Sequence, residues 1–244
     1  MKRQMDNFVL IPSGTELIRR YKDNQKWISS SGKMCIPSSR KNMEEIKIDA
    51  EIKSFYISKY PVTQALYNKI IKGITVSREL EFLPVVNVSW HNSIQFCNLL
   101  SKENGLNECY SFIGEDILCD FESNGYRLPT DAEWQYACKA GSNKYHYGII
   151  NDVAWYVDNS EGEVHEVGKK APNDYGLYDM LGNVWEWCWD LYDEKTYGSY
   201  RIFRGGSWAE EARGCGATSR RKSHPTFATD ELGFRLAKSY ISNE

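Results

Sequence analysis

Cysteines, histidines and a scatter of carboxylates are the side chains in this sequence that could carry chemistry, and their spacing limits what they can do. The seven cysteines, Cys35, Cys97, Cys109, Cys119, Cys138, Cys188 and Cys215, include no C-x-x-C pair and are odd in number. Neither a zinc knuckle nor a complete disulfide framework is indicated. Most are expected to be buried thiols, because a lone cysteine packs as a small hydrophobe. Cys215 could act as a nucleophile only beside an oriented base, and the histidine nearest to it in sequence, His224, has no third group placed to orient it. His91, His146 and His165 lack the helical spacing by which two imidazoles share a metal ion.

The elements that would position these residues begin in β structure. Residues 8–18, FVLIPSGTELI, read as strand, Pro-Ser-Gly turn and strand, a hairpin pattern. The polar run from Arg19 to Glu45 has no period and is expected to be surface loop; a strand follows over Ile46–Ile57. Thr63 can cap a helix carrying Leu66, Tyr67, Ile70 and Ile71 on one face. Ser89 can cap a second helix, with Ile94, Phe96, Cys97, Leu99 and Leu100, that stops near Gly105. Thr130-Asp131-Ala132-Glu133 is a capping box that starts a third helix ending at Gly141. Beyond it, closely spaced Gly, Asp and Trp predict short strands and structured loops without a long helix.

Composition bounds the rest. The 244 residues fit a single domain, 1–244, and 30 basic against 33 acidic side chains give a net charge of −3, which argues against nucleic acid or an anionic membrane as partner. With 8 Trp and 16 Tyr, large aromatic side chains can build a core among many loops. No stretch is long and apolar enough to span a bilayer, and Met1-Lys2-Arg3 is not followed by an apolar signal segment.

Three stretches carry a resemblance: Tyr126-Arg127-Leu128-Pro129-Thr130-Asp131-Ala132-Glu133-Trp134; then Asn173-Asp174-Tyr175-Gly176-Leu177-Tyr178-Asp179-Met180-Leu181-Gly182-Asn183-Val184-Trp185-Glu186-Trp187; then Arg204-Gly205-Gly206-Ser207-Trp208, closed by Leu232-Gly233-Phe234-Arg235. In content and order they resemble the formylglycine-generating-enzyme or sulfatase-modifying-factor family, and weaker matches at residues 61–63 and 84–90 extend the likeness over about residues 8–238. The resemblance implies an α+β, C-type-lectin-like fold, with short helices around small antiparallel sheets and much irregular loop. Trp134, Trp185, Trp187, Trp208 and Phe234 are then expected in the core, with Arg220 and Arg235 structural.

Catalytic members of that family hold copper between two cysteines shortly after the Arg-Gly-Gly-Ser motif, and paired thiolates suit Cu(I). Here Glu210 falls at the first of those positions and Cys215 at the second, so no copper and no catalytic residue are expected. The family also holds calcium around its Gly-Asn-x-Trp-Glu segment. The matching positions are Asp179, Gly182, Val184 and Glu186, two carboxylates and two carbonyls of the hard-oxygen kind calcium takes. The alternative is that Asp179 and Glu186 satisfy backbone N–H groups in a tight loop. The family's other calcium site requires an Asn near Val153 and is not expected.

Between Trp208 and Leu232 the family is rich in Asn, whereas this chain carries mostly Ala, Gly, Ser, His, Thr, Phe and Asp. All of these can be reached from an AAC codon by changing only its adenines; Glu210, Glu211, Lys222 and Glu231 cannot. The pattern resembles the variable proteins of diversity-generating retroelements, which implies a receptor displaying residues 209–231 to a protein or glycan. Small and polar residues with an aromatic and a histidine also suit an adaptable binding loop. The expected contact residues are Ala209, Glu210, Glu211, Gly214, Gly216, Lys222, Ser223, His224, Thr226, Phe227, Ala228, Thr229, Asp230 and Glu231. Display at the cell surface through an anchor outside this sequence is the expectation, with a cytoplasmic location as the alternative. The competing function is a formylglycine-generating or related oxidative modifying enzyme.

Overall fold

The computed structural model describes residues 7–23, 43–114 and 116–241. Cys35 and most of the predicted 19–45 loop lie outside these residues. Mixed α+β architecture emerges as expected, with short helices packed around small sheets.

Strand β1 (Phe8–Ile11) does not form a hairpin with β2 (Gly14–Asp23). It pairs antiparallel with β4 (Phe55–Ser58), in register from Phe8↔Ser58 to Ile11↔Phe55. Two residues, Pro12 and Ser13, separate the strands; a tight hairpin needs a positive φ at the first of them, which the proline ring forbids. β2 pairs instead with β3 (Met43–Ile52), from Gly14↔Ile52 to Asp23↔Met43. Both ends of the predicted loop are therefore strand, and the predicted 46–57 strand is broken at Lys53-Ser54, where the chain passes from one sheet to the other.

The three helices form where their caps lie. Thr63 Oγ1 accepts from the Leu66 N–H at the start of α1 (Gln64–Lys72). Ser89 caps α2 (Trp90–Glu103) in a capping box with Asn92. Thr130 caps α3 (Asp131–Lys139) in a second box with Glu133, whose carboxylate accepts from the Thr130 N–H at 2.8 Å. A hairpin of β5 (Tyr110–Ile113) and β6 (Asp116–Cys119) follows α2. Beyond α3 come the short helix α4 (Ile150–Val153), the parallel pair β7 (Ala154–Trp155) and β8 (Leu181–Gly182), and a final four-stranded sheet.

That sheet has the order β11-β10-β9-β12. Its central strand β9 (Trp185–Leu191) is followed by a helical turn, α5 (Glu194–Tyr197), and pairs antiparallel with β10 (Arg201–Arg204) and parallel with β12 (Leu232–Gly233). Arg204 and Gly233 both lie opposite Glu186, one on each side. β11 (Arg220–Ser223) forms the outer edge, and β13 (Ala237–Ser239) returns to β4.

Two apolar clusters make the core, one around Trp134, Leu177 and Met180 and one around Trp90, Phe96, Trp187 and Phe234. Trp134, Trp185, Trp187 and Phe234 are buried as expected, whereas Trp208 is half-exposed. Three buried arginines meet carboxylates within this core: Arg127 with Glu133 at 2.7 Å, Arg204 with Asp131 at 2.6 Å and Arg235 with Glu186 at 2.6 Å. Arg220 shares Asp131 at 3.0 Å, so Arg220 and Arg235 are both structural. Charges so deeply buried are tolerable only when paired. Five of the six described cysteines are buried and all six are free thiols. Among the described residues no helix is long and apolar enough to cross a membrane.

Candidate ligand-binding segment

Residues 209–231 leave the sheet after β10, return as β11 and re-enter as β12. The segment is held by its main chain. The Val157 N–H donates to Glu210 O at 3.0 Å, Ala217 N–H to Tyr145 O at 2.9 Å, Asn87 N–H to Thr229 O at 2.9 Å and Trp185 N–H to Glu231 O at 2.8 Å. None of these bonds uses a side chain of the segment.

Of the predicted contact residues, Ala209, Glu211, His224, Thr226, Phe227, Ala228 and Asp230 are exposed, and Glu210, Gly214, Lys222, Ser223, Thr229 and Glu231 are half-buried. Gly216 is buried, and a Cβ there would stand 1.9 Å from the Tyr145 ring, so this position cannot vary freely. Several side chains are already engaged within the segment or against the scaffold. Glu210 pairs with Arg221 at 2.6 Å and Glu211 with Arg213 at 2.6 Å. Glu231 accepts from the Ser207 hydroxyl at 2.5 Å, and Lys222 Nζ lies 4.4 and 4.1 Å from the Tyr192 and Tyr197 ring centroids. His224 Nδ1 is 2.8 Å from Thr226 Oγ1.

Trp208 joins the two ends of this surface. Its indole N–H donates to Asp230 O at 3.3 Å, and its carbonyl accepts from Ser160 Oγ at 2.9 Å. The Arg-Gly-Gly-Ser-Trp motif reads as core in sequence, and nothing in its residue types marks the last tryptophan as the one that reaches the surface.

Cys215 is fully buried, its thiol directed to Ser207 O at 3.6 Å. Burial first, and then the nearby Glu210 carboxylate, push its pKa up to about 12, so it is a neutral thiol at ordinary pH. The hydrogen bond of Cys215 goes to Ser207 and that of His224 to Thr226, so nothing joins them as nucleophile and base. Glu210, expected at the other of the two family cysteine positions, is held by Arg221 at 2.6 Å.

The predicted calcium ligands divide. Both oxygens of Glu186 are taken, Oε1 by Arg235 at 2.7 Å and Oε2 by Arg235 at 2.6 Å and the Trp134 indole at 2.7 Å. Glu186 is therefore the partner of a buried cation and does not fit a calcium shell; nor does it serve backbone N–H groups. Asp179 differs: its Oδ2 accepts from the Gly168 N–H at 2.7 Å, while Oδ1 is buried without a partner. Burial raises its pKa to about 6, against the opposing pull of the Gly168 N–H and Arg235. Among the described residues, no group of three or more His, Cys, Asp or Glu side chains is arranged to hold a metal ion.

A family model described as the sulfatase-modifying factor enzyme 1-like domain matches residues 1–240. The chain belongs to that family. Within the sulfatase-modifying-factor family it is 29% identical over 227 residues to chaperone protein LppX of Paenibacillus barcinonensis, covering 77% of this chain and 81% of that one. It is 30% identical over 200 residues to the inactive C-alpha-formylglycine-generating enzyme 2 of Bos taurus, covering 72% of this chain but only 57% of the bovine protein. Among solved structures, Treponema denticola variable protein 1 matches with a TM-score of 0.74 at 29% identity, over 96% of this chain and 95% of that one. The fold is thus the lectin-like one of this family, and the relatives include an inactive enzyme and a variable protein.

Proposed function

We propose that this sulfatase-modifying-factor protein is a non-catalytic receptor that presents residues 209–231 to a protein or glycan ligand at the cell surface. The observation that carries this reading is the main-chain anchoring of the segment, which leaves its exposed side chains free to change without loss of the bonds that hold it. The neutral buried Cys215, the engaged Glu210 and the likeness to Treponema denticola variable protein 1 support it.

The test is to randomise Ala209, Glu211, His224, Thr226, Phe227, Ala228 and Asp230 together and select the library against several immobilised proteins and glycans. Most members should melt cooperatively, within about 5 °C of the parent on the usual scale for surface changes, and different members should select different partners. Widespread loss of cooperative melting, or one partner selected whatever the sequence, would overturn the reading. The enzyme alternative predicts stoichiometric copper in the purified protein and conversion of a Cys-containing peptide to an aldehyde; we expect neither. Calcium is retained only at Asp179, with the Gly182 and Val184 carbonyls as companions and without Glu186. Millimolar calcium should then raise the melting temperature of the parent but not of Asp179→Asn.

A further inference from the structure

Half-buried Arg201 stands apart from the buried arginines. Arg127, Arg204 and Arg235 each face a carboxylate, whereas among the described residues no carboxylate forms an ion pair with Arg201. Its guanidinium lies 3.9 Å from the Trp90 ring centroid and 5.0 Å from that of Trp189, and Nη1 donates to Trp189 O at 2.6 Å. Nε is buried without an acceptor. Burial lowers its pKa to about 10, and Asp190, Tyr110 and Glu194 offset that only in part. A half-buried cation with an unsatisfied donor favours an anionic partner.

Two histidines stand beside it. His91 lies in the first turn of α2, and its main-chain N–H donates to Pro225 O at 3.4 Å, which brings it next to His224. His91 is discouraged from taking a proton by burial, then by Arg201, then by His224, so the charge of Arg201 and that of His224 both reach this imidazole. His224 uses Nδ1 toward Thr226 and packs edge-on against Tyr200, with ring centroids 6.1 Å apart.

The cluster sits where β11 ends, since Arg201 and Ser223 are register partners. β11 is an edge strand, and residues 221–223 make no main-chain bond beyond their pairing with β10 among the described residues. Open N–H and C=O groups along an edge are complementary to another peptide backbone and not to a sugar. The cations on this strand repel neutral or basic strands and favour an acidic one.

We propose that Arg201, His91 and His224 form a carboxylate-binding subsite that takes a Glu or Asp side chain of an extended protein segment laid along β11. The proposal rests on the receptor reading above and names its ligand class. Arg201 supplies its positive charge and its unengaged Nη2 donors, and the histidines add donors and charge when protonated.

The experiment titrates the full chain near pH 5, below the ordinary histidine range because His91 is discouraged from taking a proton, and at about 50 mM salt to limit screening, with a short peptide of alternating Glu and Thr. Its Gln-for-Glu counterpart and a galacturonate oligomer are titrated alongside, with tryptophan fluorescence as the signal. The Glu peptide should bind at least about tenfold more tightly than the Gln peptide, as for a charge-assisted contact. His224→Gln and His91→Gln should each weaken it about threefold and Arg201→Gln about tenfold or more, while Lys53→Gln, in an exposed pair with Glu122 outside the segment, leaves it unchanged. The histidine variants keep the test decisive if Arg201→Gln melts early. Equal binding of the two peptides, binding of neither, or indifference to both histidine variants would overturn the subsite, and preference for the galacturonate would replace the protein segment by an acidic glycan. Should no peptide bind while randomised libraries still select partners, the subsite alone fails; if the libraries select nothing either, the receptor reading falls with it.

Discussion

Asp179 holds a buried carboxylate with one oxygen bonded and the other not, at a residue whose φ is +54°. Its raised pKa means that the folded state binds a proton more tightly than the unfolded chain. Any stability this gives is complete below the ordinary value of 3.8 and is lost as pH rises through about 6. Asp179→Asn keeps the acceptor for Gly168, suits the left-handed backbone and removes the charge. In the absence of added cations it should be more stable than the parent at pH 7, by at most ~3 kcal/mol, with the difference closing between pH 6 and pH 4. A parent that is the more stable of the two at pH 7 would show that something neutralises this carboxylate. Cys215 leads to a separate prediction: the folded protein at pH 8 should leave it unlabelled by iodoacetamide, with modification only after denaturation. The loss of the paired thiols was readable directly from Glu210 and Cys215. The isolation of Arg201 was not, because an arginine at the start of an Arg-Ile-Phe-Arg strand looks the same in sequence as Arg204, which has a partner.

At the scale of elements, the helices were legible because a cap and an apolar period coincide in a few residues. Thr130→Ala removes the hydroxyl that accepts from the Glu133 N–H at 3.1 Å. It should cost about 1 kcal/mol, a fall in melting temperature of about 2–4 °C for a domain of this size; an unchanged melting curve would mean that the Glu133–Arg127 pair alone holds this end of α3. The strands were less legible. β11 reads Arg-Arg-Lys-Ser, with no apolar alternation to mark it, and is a strand because β10 supplies a partner. Parts of β2 and β3 were legible as strands, but their pairing with each other was not, and one of the inward positions, Glu16, is charged beside Leu17 and Ile18. Glu16 is itself buried by contacts that no local pattern reports, accepting from Gln135 at 2.7 Å and pairing with Lys139. Pairing between segments far apart in sequence is a tertiary fact, and single-segment patterns cannot carry it.

For the whole molecule, the final sheet separates what must stay from what can change. β9 carries Trp185, Glu186 and Trp187 into the core, and the strands on either side of it bring in Arg204 and Leu232. The segment between them contributes main-chain anchors and an exposed set of side chains. Because Arg204 and Gly233 both lie opposite Glu186, the segment leaves and returns across one strand, its ends about two strand spacings, roughly 10 Å, apart. Such a geometry fixes the span the loop must close, and the entropy of closing it grows only slowly with the length of the chain within it. Doubling that length would cost only about 0.6 kcal/mol, so this scaffold can accept inserted residues, as well as exchanged ones, and remain folded.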